Sequence, residues 1–572
     1  MWPTPEPLVQ TSHSHGGLHG REAFAGSAQA IASRPAPWLG SGAMGPLQIV
    51  WFKRDLRTAD HQPLLQASRL GAVLPLLVVE PEFWRQADAS ARHWAFCAEG
   101  LEELRSELAR LGQPLVVRVG AVEEVLERAR RQFGVAGLWS HEETGNGWTY
   151  ARDRRVATWA LEHGIPWHEI PQFGVVRRLA SRDGWARRWE ARMAEPLAQP
   201  PAALAPLEGL DPGPIPTATE LALAPDPCAG RQKGGRREGL ALLESFLQER
   251  GARYHRELSS PTTAFESCSR LSAHLSWGTL SMREVVQASR RQAAALRALP
   301  AAERAGWPRA LRGFEERLHW HCHFIQKLES QPDLEFRELH PLTAVDPSAA
   351  DPERLAAWCE GRTGLPFVDA CMRALIATGW INFRMRAMLM SVASHHLELP
   401  WRSTGLHLAR LFLDYEPGIH WSQCQMQAGT TGINTIRIYN PIKQGQDHDP
   451  QGLFMRQWLP ELDAVPLLHL HEPWTLPALT ALRLDFAPGV DYPQPIVDPV
   501  AAARTARERL WARRQGQAFR ELADGIQQKH GSRRSGLAPS SGNASGGGRR
   551  RRRTGSALNN DAVQLGLDLN LG

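Results

Sequence analysis

The second half of the chain contains residues whose types and spacing fit the binding of an anionic organic ligand. The segment Ser267–Ser272 surrounds Arg270 with small hydroxyl residues directly before a helical pattern. Backbone N–H groups and hydroxyls at the start of a helix bind anions such as a diphosphate, although an ordinary helix cap has the same composition. The segment therefore predicts either an anion site or a simple cap.

Two further groups of motifs stand out. Near the start, Trp51–Arg57 has two bulky apolar residues followed by four charged ones within five positions. By itself this pattern favours a strand that leaves the core into a solvated turn. A longer and more specific series of polar and aromatic motifs comes later, at Thr363–Arg373, Thr378–Arg386, Trp401–Arg402, Leu413–Pro417, Gln425–Asn434, Ile436–Pro441, Gly452 and Arg456–Glu461.

Composition limits the class of protein. A length of 572 residues suggests two folded domains plus tails, and a net charge of +6 permits a polyanionic partner. No run of about 18 apolar residues predicts a membrane span, and the first residues lack a secretory pattern. The seven cysteines form no CxxC pair, so we expect no disulfide framework, zinc site or iron–sulfur cluster, and a cytoplasmic location.

Strand and helix patterns alternate in the first part of the chain, which predicts an α/β domain over residues 46–180 with a parallel sheet covered on both faces. Such a sheet binds ligands at the carboxyl ends of its strands. The predicted strands are Leu47–Phe52, Val73–Val79, Leu115–Val119, Ala136–Trp139 and Ile165–Ile170, and helical patterns between them include Ala95–Leu111 and Val122–Phe133.

The rest of the chain reads differently. Residues 181–235 are rich in Pro, Ala and Gly and predict an interdomain linker. Apolar spacing in residues 236–530 is helical, with good examples at Leu240–Glu249, Ser281–Leu299 and Gly364–His396. Residues 1–45 and 531–572 lack periodicity and predict a disordered extension and a disordered basic tail.

In order and spacing, these motifs resemble the flavin-binding half of the DNA photolyase/cryptochrome family, and Trp51–Arg57 resembles the N-terminal signature of that family. The resemblance extends over about residues 47–465 and is greater to a less-studied bacterial branch. It implies an α/β N-terminal antenna domain with a parallel Rossmann-like sheet, joined to a larger all-α domain that binds FAD. A second, antenna chromophore is implied as well, and folate, deazaflavin, a second flavin or none remain alternatives.

The resemblance also implies cofactor contacts. Arg386 and Asp414 match an ion pair that lies against the flavin ring, with a structural salt bridge as the alternative. His420 falls near the flavin N5 atom and could donate a proton to it, because the unperturbed histidine pKa lies near physiological pH. Cys268 stands where the family often has Thr. The implied cofactor-binding residues are Tyr254, Cys268, Ser269, Arg270, Leu271, Ser272, Arg317, His321, Arg386, Asp414, Tyr415, Glu416 and His420.

The activity implied by the resemblance is that of a deoxyribodipyrimidine photo-lyase, a carbon–carbon lyase that repairs pyrimidine dimers in DNA by electron transfer from excited reduced flavin. Such an enzyme needs a cationic rim for phosphates and an aromatic hole for an extruded dimer. The implied catalytic residues are Trp320, Trp380, Trp401 and His420. The implied DNA-binding residues are Arg317, Trp320, Asn382, Phe383, Arg384 and Lys443.

Several positions depart from the best-known repair enzymes. Arg317 stands where the family commonly has a dimer-binding carboxylate, and Phe383 where many members have an Asn, although Asn382 could supply the amide. In the usual tryptophan chain for photoreduction, Trp401 matches the middle member, but Cys424 and Ser348 replace the other two; Trp358, Trp380 and Trp421 could form another route.

Two functions therefore remain open. The first is light-driven DNA repair, with damaged DNA as the partner and the Arg549–Arg553 run as loose electrostatic attraction to it. The second is a cryptochrome-like blue-light photoreceptor that binds FAD and signals through a partner or the tail. Either protein is expected to be a monomer without a membrane anchor. No metal site is predicted, because His319, His321 and His323 alternate on a helical pattern and cannot face one ion.

Overall fold

The computed structural model describes residues 47–346 and 350–532. The predicted extension at residues 1–45, the substituted tryptophan position Ser348 and the Arg549–Arg553 run lie outside the described residues. None of the described helices is long and apolar enough to cross a membrane.

A five-stranded sheet of order β3-β2-β1-β4-β5 forms the first part of the structure, and every pair of neighbouring strands is parallel. This confirms the predicted fold class. The central strand β1 is buried along its whole length, because helices cover both faces of the sheet. The chain order reverses between β1 and β4, where such folds bind ligands. The strands are β1 (Leu47–Phe52), β2 (Val73–Val79), β3 (Val116–Val119), β4 (Val135–His141) and β5 (Trp167–Ile170).

Amphipathic helices connect these strands. Leu101, Leu104 and Leu108 recur at helical spacing on the third helix and are all buried. The fourth helix has two acidic residues in its first turn, two basic residues in its last, and Gly134 with a φ of 66° at its end, an arrangement that suits the helix dipole and a left-handed cap. The helices are α1 (Gln62–Ser68), α2 (Pro81–Trp84), α3 (Ala91–Arg110), α4 (Val122–Phe133) and α5 (Gly147–Glu162).

The predicted linker is tied to both parts of the structure and contains one helix, α6 (Trp185–Ala194). Its backbone bonds to the α/β part from Leu204 N–H to the Leu111 carbonyl at 2.6 Å. Further along, Gly230 N–H donates to the Ala377 carbonyl of the helical part at 3.0 Å. This Pro- and Gly-rich segment is therefore held by backbone hydrogen bonds to both parts of the structure.

The remainder is helical, as predicted, around a core that contains the fully buried Trp358 and Trp421. Short 3₁₀ turns join several helices, at Arg250–Arg253, Pro332–Glu335, Pro341–Thr343, Pro460–Leu462 and Pro473–Thr475. The helices are α7 (Arg236–Gln248), α8 (Tyr254–Glu257), α9 (Pro261–Ser267), α10 (Ser272–Ser276), α11 (Met282–Arg297), α12 (Trp307–Ser330), α13 (Pro352–Glu360), α14 (Pro366–Thr378), α15 (Phe383–Ser391), α16 (Trp401–Leu411), α17 (Pro417–Ala428), α18 (Pro441–His448), α19 (Leu453–Trp458), α20 (Leu467–Leu470), α21 (Ala478–Arg483), α22 (Pro499–Arg513) and α23 (Gln517–His530).

The helical pattern Gly364–His396 is interrupted in the structure. Gly379 has a φ of 70° and ends α14, and the chain turns before α15 begins. The last five residues, Val392–His396, form a π-helical turn. Gly379 ends one helix and Asn382 precedes the next, but the apolar spacing continues on both sides of this break. Periodicity alone therefore does not predict the break.

The charged run Lys53–Arg57 is not the solvated turn that its composition favours. The side chain of Lys53 is 3% exposed, and Arg57 as a residue is 1% exposed. Arg54 reaches into the helical part, where its guanidinium donates to the Ser276 carbonyl at 2.9 Å and the Tyr415 carbonyl at 2.7 Å. Tertiary contacts across the interface between the two parts therefore bury this run.

The close approach at this interface generates a prediction for Gly278. With its φ of 65°, an added Cβ would collide with the Arg54 carbonyl oxygen and lie 2.6 Å from the Asp55 Cα. Gly134 has a similar φ of 66° but nothing within 4 Å of an added Cβ. We expect Gly134→Ala to lower the free energy of unfolding by about 1–2 kcal/mol, the usual left-handed cost, and Gly278→Ala to lower it by more. Urea unfolding followed by circular dichroism measures both, and equal losses would contradict the packing argument.

Candidate functional site

A cavity of about 300 Å³ lies inside the helical part and reaches the surface beside Phe383, which is 40% exposed. Helices α8, α10, α12, α15 and α17 and the loop before α17 supply its walls. It brings together the following sequence-predicted residues: Tyr254, Cys268, Ser269, Arg270, Ser272, Arg317, Trp320, His321, Trp380, Asn382, Phe383, Arg386, Asp414, Tyr415, Glu416 and His420.

The ion pair between Arg386 and Asp414 lies on the cavity wall. The two guanidinium Nη atoms donate to the two carboxylate oxygens at 2.9 Å each, and the guanidinium lies 4.1 Å from the Phe412 ring centre. Burial by itself would raise the pKa of Asp414, but the charge and hydrogen bonds of Arg386 hold that pKa below its usual value. The carboxylate is therefore ionised at neutral pH and is lost as an ion-pair partner only when the pH falls through its lowered pKa.

Arg270 lies on the cavity wall next to a group of hydroxyl residues. This residue has a φ of 60°, and its guanidinium lies 4.1 Å from the Trp380 ring centre. Burial lowers the pKa of Arg270 to about 10, so it remains protonated at neutral pH. Its Nε atom is buried and has no hydrogen-bond partner among the described residues. An unpartnered buried cation donor beside the hydroxyls of Ser269 and Ser272 suits an anionic group such as a diphosphate.

Acceptors for ring N–H groups lie elsewhere on the wall. The Asn382 side chain donates to the Leu258 carbonyl at 3.1 Å, while its Oδ1 atom is buried and has no partner among the described residues. Burial raises the pKa of Glu416 to about 7, against the opposing charge of Arg54 3.7 Å away. Glu416 can therefore accept a hydrogen bond when ionised or donate one when protonated.

His420 does not suit the predicted role of proton donor. Its Nε2 atom lies 2.8 Å from the Gly405 carbonyl oxygen, which can only accept, so Nε2 carries the proton. Burial lowers the pKa of His420 to about 4. The ring is therefore neutral at physiological pH, and its Nδ1 atom can act only as an acceptor.

The mouth of the cavity is aromatic and cationic. Trp320 is half-buried on α12 and packs against Phe324 with ring centres 5.5 Å apart. Across the opening, the Arg317 guanidinium lies 5.6 Å from the Phe383 ring centre. Flat rings beside a guanidinium are the groups that stack and hydrogen-bond an unpaired base.

Four predicted residues are not part of the cavity wall. Leu271 is 1% exposed and packs in the apolar core, because its side chain points away from the hydroxyl residues on either side. Trp401 is buried and donates to Glu338 at 2.9 Å. Arg384 follows Phe383 on α15, one position round the helix from the wall. Lys443 forms an exposed i, i+4 ion pair with Asp447 on α18.

Two tryptophans of the proposed alternative electron route contact aromatic residues outside that route. Trp358 contacts His407 with ring centres 5.6 Å apart, and Trp380 contacts Phe265 at 5.0 Å. Trp421 instead lies beside Trp401, with ring centres 5.9 Å apart, and beside the cavity residue His420 at 4.9 Å. Cys424 lines the cavity, and its Sγ is 3.5 Å from His420 Nε2.

Potential metal ligands converge at a place that the sequence did not suggest. Asp55 Oδ2 lies 2.9 Å from His61 Nε2 and 2.7 Å from His141 Nδ1. The other ring nitrogen of His61 accepts from Leu64 N–H at 3.1 Å, so both of its nitrogens are used. Burial lowers the pKa of His141 to about 3 and keeps it neutral. The cluster is a buried hydrogen-bond network that joins β1 to β4.

Family comparisons agree with this geometry. A model described as the FAD binding domain of DNA photolyase matches residues 314–512, and a model described as DNA photolyase matches residues 48–177. The protein thus contains a flavin-binding domain next to a photolyase-type α/β domain. The chain belongs to the DNA photolyase/cryptochrome family.

Individual relatives carry both names of the family. A cryptochrome DASH of Gloeobacter violaceus is 30% identical over 482 residues, which cover 79% of this chain and 93% of that protein. A deoxyribodipyrimidine photo-lyase of Thermus thermophilus is 32% identical over 429 residues, which cover 73% and 93%. A solved Synechocystis cryptochrome superposes with a TM-score of 0.73 at 23% identity, covering 82% of this chain and all of that one.

The chemistry of the cavity walls fits FAD. Arg270 with Ser269 and Ser272 could hold the diphosphate, and Arg386 supplies a cation that would stabilise a reduced, anionic flavin ring. Asn382 and Glu416 offer acceptors for ring N–H groups. Arg54 was missed as a site residue, although it holds the backbone carbonyl of Tyr415 in the cavity loop. No pattern within its own segment indicates this contact, which joins residues 361 positions apart.

Loss of the buried ion pair should release the cofactor. We expect Asp414→Ala to weaken FAD binding about tenfold or more, because Arg386 is left as a partly buried cation without its partner. Asp447→Ala, which breaks the exposed pair with Lys443, is the matched control. Flavin absorbance per folded protein measures the effect, and wild-type flavin content in Asp414→Ala would show that the pair does not face the cofactor.

Proposed function

We propose that the protein repairs pyrimidine dimers in DNA by light-driven electron transfer from reduced FAD. The aromatic and cationic mouth of the 300 Å³ cavity carries this proposal, because it offers rings and a guanidinium to a flipped-out base. Trp320 and Phe383 supply the aromatic rings, and the Arg317 guanidinium lies 5.6 Å from the Phe383 ring centre.

Reduced FAD, when bound, would supply the light-driven electron for splitting the carbon–carbon bonds of the dimer and would regain it afterwards, so the reaction would consume no reductant. The task of the chain is to hold the dimer beside the cavity and to exclude water from it. Trp320 stacks against one base, and Trp380, held by Arg270, closes the inner side. Positive side chains around the mouth attract the phosphates.

Arg317 changes how the dimer is recognised. A guanidinium has five donors and no acceptor, so it cannot accept the base N–H as a carboxylate does. It can donate to the carbonyl oxygens of thymine. The protein would thus recognise the dimer by donating hydrogen bonds to it, where other members of the family accept hydrogen bonds from it.

Arg317 and Phe383 at the mouth favour the alternative function. They stand where many repair enzymes have a dimer-binding acid and an amide, and a cryptochrome-like photoreceptor needs neither that acid nor that amide. A second, light-harvesting chromophore belongs to either function. The carboxyl end of the sheet offers a cavity of about 50 Å³ for part of such a group, lined by Trp51, Trp84 and Trp277 among others.

A direct assay separates the two functions. The reduced holoprotein is mixed with ultraviolet-damaged oligothymidine and illuminated with blue light, and recovery of thymine absorbance is followed against a dark sample. We expect recovery to depend on light. The absence of recovery in a sample with fully bound, reduced FAD would favour the photoreceptor and reject the lyase.

Trp320 provides a residue-level test. We expect Trp320→Ala to lower the repair yield about tenfold, since stacking on an aromatic ring contributes about 1–3 kcal/mol per base. Trp511→Ala removes a tryptophan that is 61% exposed and lies away from the cavity, and it should repair like wild type. Flavin content is measured in the same samples. Equal repair by both variants would remove Trp320 from the dimer site.

A further inference from the structure

Tyr415 combines a position on the cavity wall with a hydrogen bond to a buried carboxylate. It lies between Asp414 and Glu416 and lines the 300 Å³ cavity. Its hydroxyl donates to Asp88 Oδ2 at 2.6 Å, across 327 positions of sequence. The bond therefore joins the cavity to the loop between α2 and α3 of the α/β part.

Asp88 is held in place as an acceptor. It is 5% exposed, and its Oδ2 atom also accepts from the Asn146 side chain at 3.0 Å. A separate cavity of about 20 Å³, enough for one water molecule, is lined by both Asp88 and Tyr415. The Asp88 carboxylate therefore lies beside both the Tyr415 phenol and this small cavity.

The phenol remains protonated at rest. Burial, and then the negative charges of Asp88 and Glu335, raise the pKa of Tyr415 well above its ordinary value. Removing an electron from a phenol makes its O–H strongly acidic, so the proton then leaves for the nearest base. At this site the nearest base is already hydrogen-bonded to it.

We propose that Tyr415 donates an electron to light-excited oxidised FAD while Asp88 accepts the phenolic proton. The electron leaves the Tyr415 ring for the flavin, the O–H bond breaks, and the proton moves to Asp88 Oδ2. Tyr415 becomes a neutral radical, Asp88 a neutral acid, and the flavin gains one electron. An external thiol then returns a hydrogen atom to Tyr415, and Asp88 releases its proton to water.

The neighbouring tryptophans lack this combination of features. Trp421 is buried and interacts with the Tyr415 phenol rather than with a carboxylate, so an oxidised Trp421 has no carboxylate of its own to take its proton. Trp401 does donate to a carboxylate, that of Glu338, but does not line the cavity. The inference requires FAD in the cavity and does not require DNA repair, so a failed repair assay leaves it intact.

The experiment uses the full-length protein with bound, oxidised FAD and no DNA. A blue flash is followed by transient absorbance and by electron paramagnetic resonance of freeze-trapped samples, in H₂O and in D₂O. For the wild type we expect a tyrosyl radical that appears as the flavin is reduced, and slower formation in D₂O. Ring-deuterated tyrosine identifies the radical in the wild type without any substitution.

Variants locate the radical. Tyr415→Phe and Asp88→Asn should each lower the yield of tyrosyl radical about tenfold or more at equal FAD content. The matched control is Tyr492→Phe, because the Tyr492 hydroxyl also donates to a buried carboxylate, that of Asp369 at 2.5 Å, but lies outside the cavity wall. Tyr492→Phe should behave like the wild type.

Three results would overturn the inference. The first is a wild type that forms no tyrosyl radical while its flavin is photoreduced. The second is a normal radical yield in both Tyr415→Phe and Asp88→Asn. The third is loss of photoreduction in Trp421→Phe or Trp401→Phe with Tyr415 intact, which would assign the electron to the tryptophan pair.

Discussion

The guanidinium of Arg54 is the interaction on which the arrangement of the site depends. It extends from the end of β1, is enclosed between the two parts of the structure, and donates to Ser276 and to the carbonyl of Tyr415. The Tyr415 carbonyl belongs to the loop that carries Asp414 and Glu416 into the cavity. A buried cation must have acceptors, so the α/β part cannot shift against the helical part without leaving this charge unpaired. The position of the cavity loop is thus set by a residue from the opposite end of the chain.

The cavity itself has a charge distribution suited to a redox cofactor that becomes negative. Asp414 is ionised and paired with Arg386, and Arg270 remains protonated and adds a further positive charge to the wall. Glu416 has a pKa of about 7, so its charge changes close to physiological pH. His420 stays neutral and offers only an acceptor. The positive side chains of the wall therefore favour added electron density on a bound flavin.

The fold alone does not distinguish the two activities, and the residues at the mouth of this cavity become the relevant feature. Relatives named cryptochrome and relatives named photo-lyase match the chain equally along most of its length, so the shared fold does not distinguish the two activities. We propose that the distinction lies in the side chains at the mouth. Trp320 and Phe383 offer aromatic rings there, and Arg317 offers hydrogen-bond donors where a carboxylate would accept.

The sequence by itself determined the five parallel strands, the helical nature of the second half and the set of motifs that line one cavity. Strand alternation and helical spacing are local properties, whereas the flavin site around Arg270, Arg386 and Asp414 was indicated by the resemblance of their motifs to the photolyase/cryptochrome family. Only the tertiary structure decided that Lys53–Arg57 is buried, that Gly379 breaks a continuous helical pattern, and that His420 points its proton at the Gly405 carbonyl. It also decided that Leu271, Trp401, Arg384 and Lys443 lie off the cavity wall. These outcomes depend on contacts between residues far apart in sequence. The energies of such contacts exceed local conformational preferences, and the spacing of residues along the chain does not indicate them.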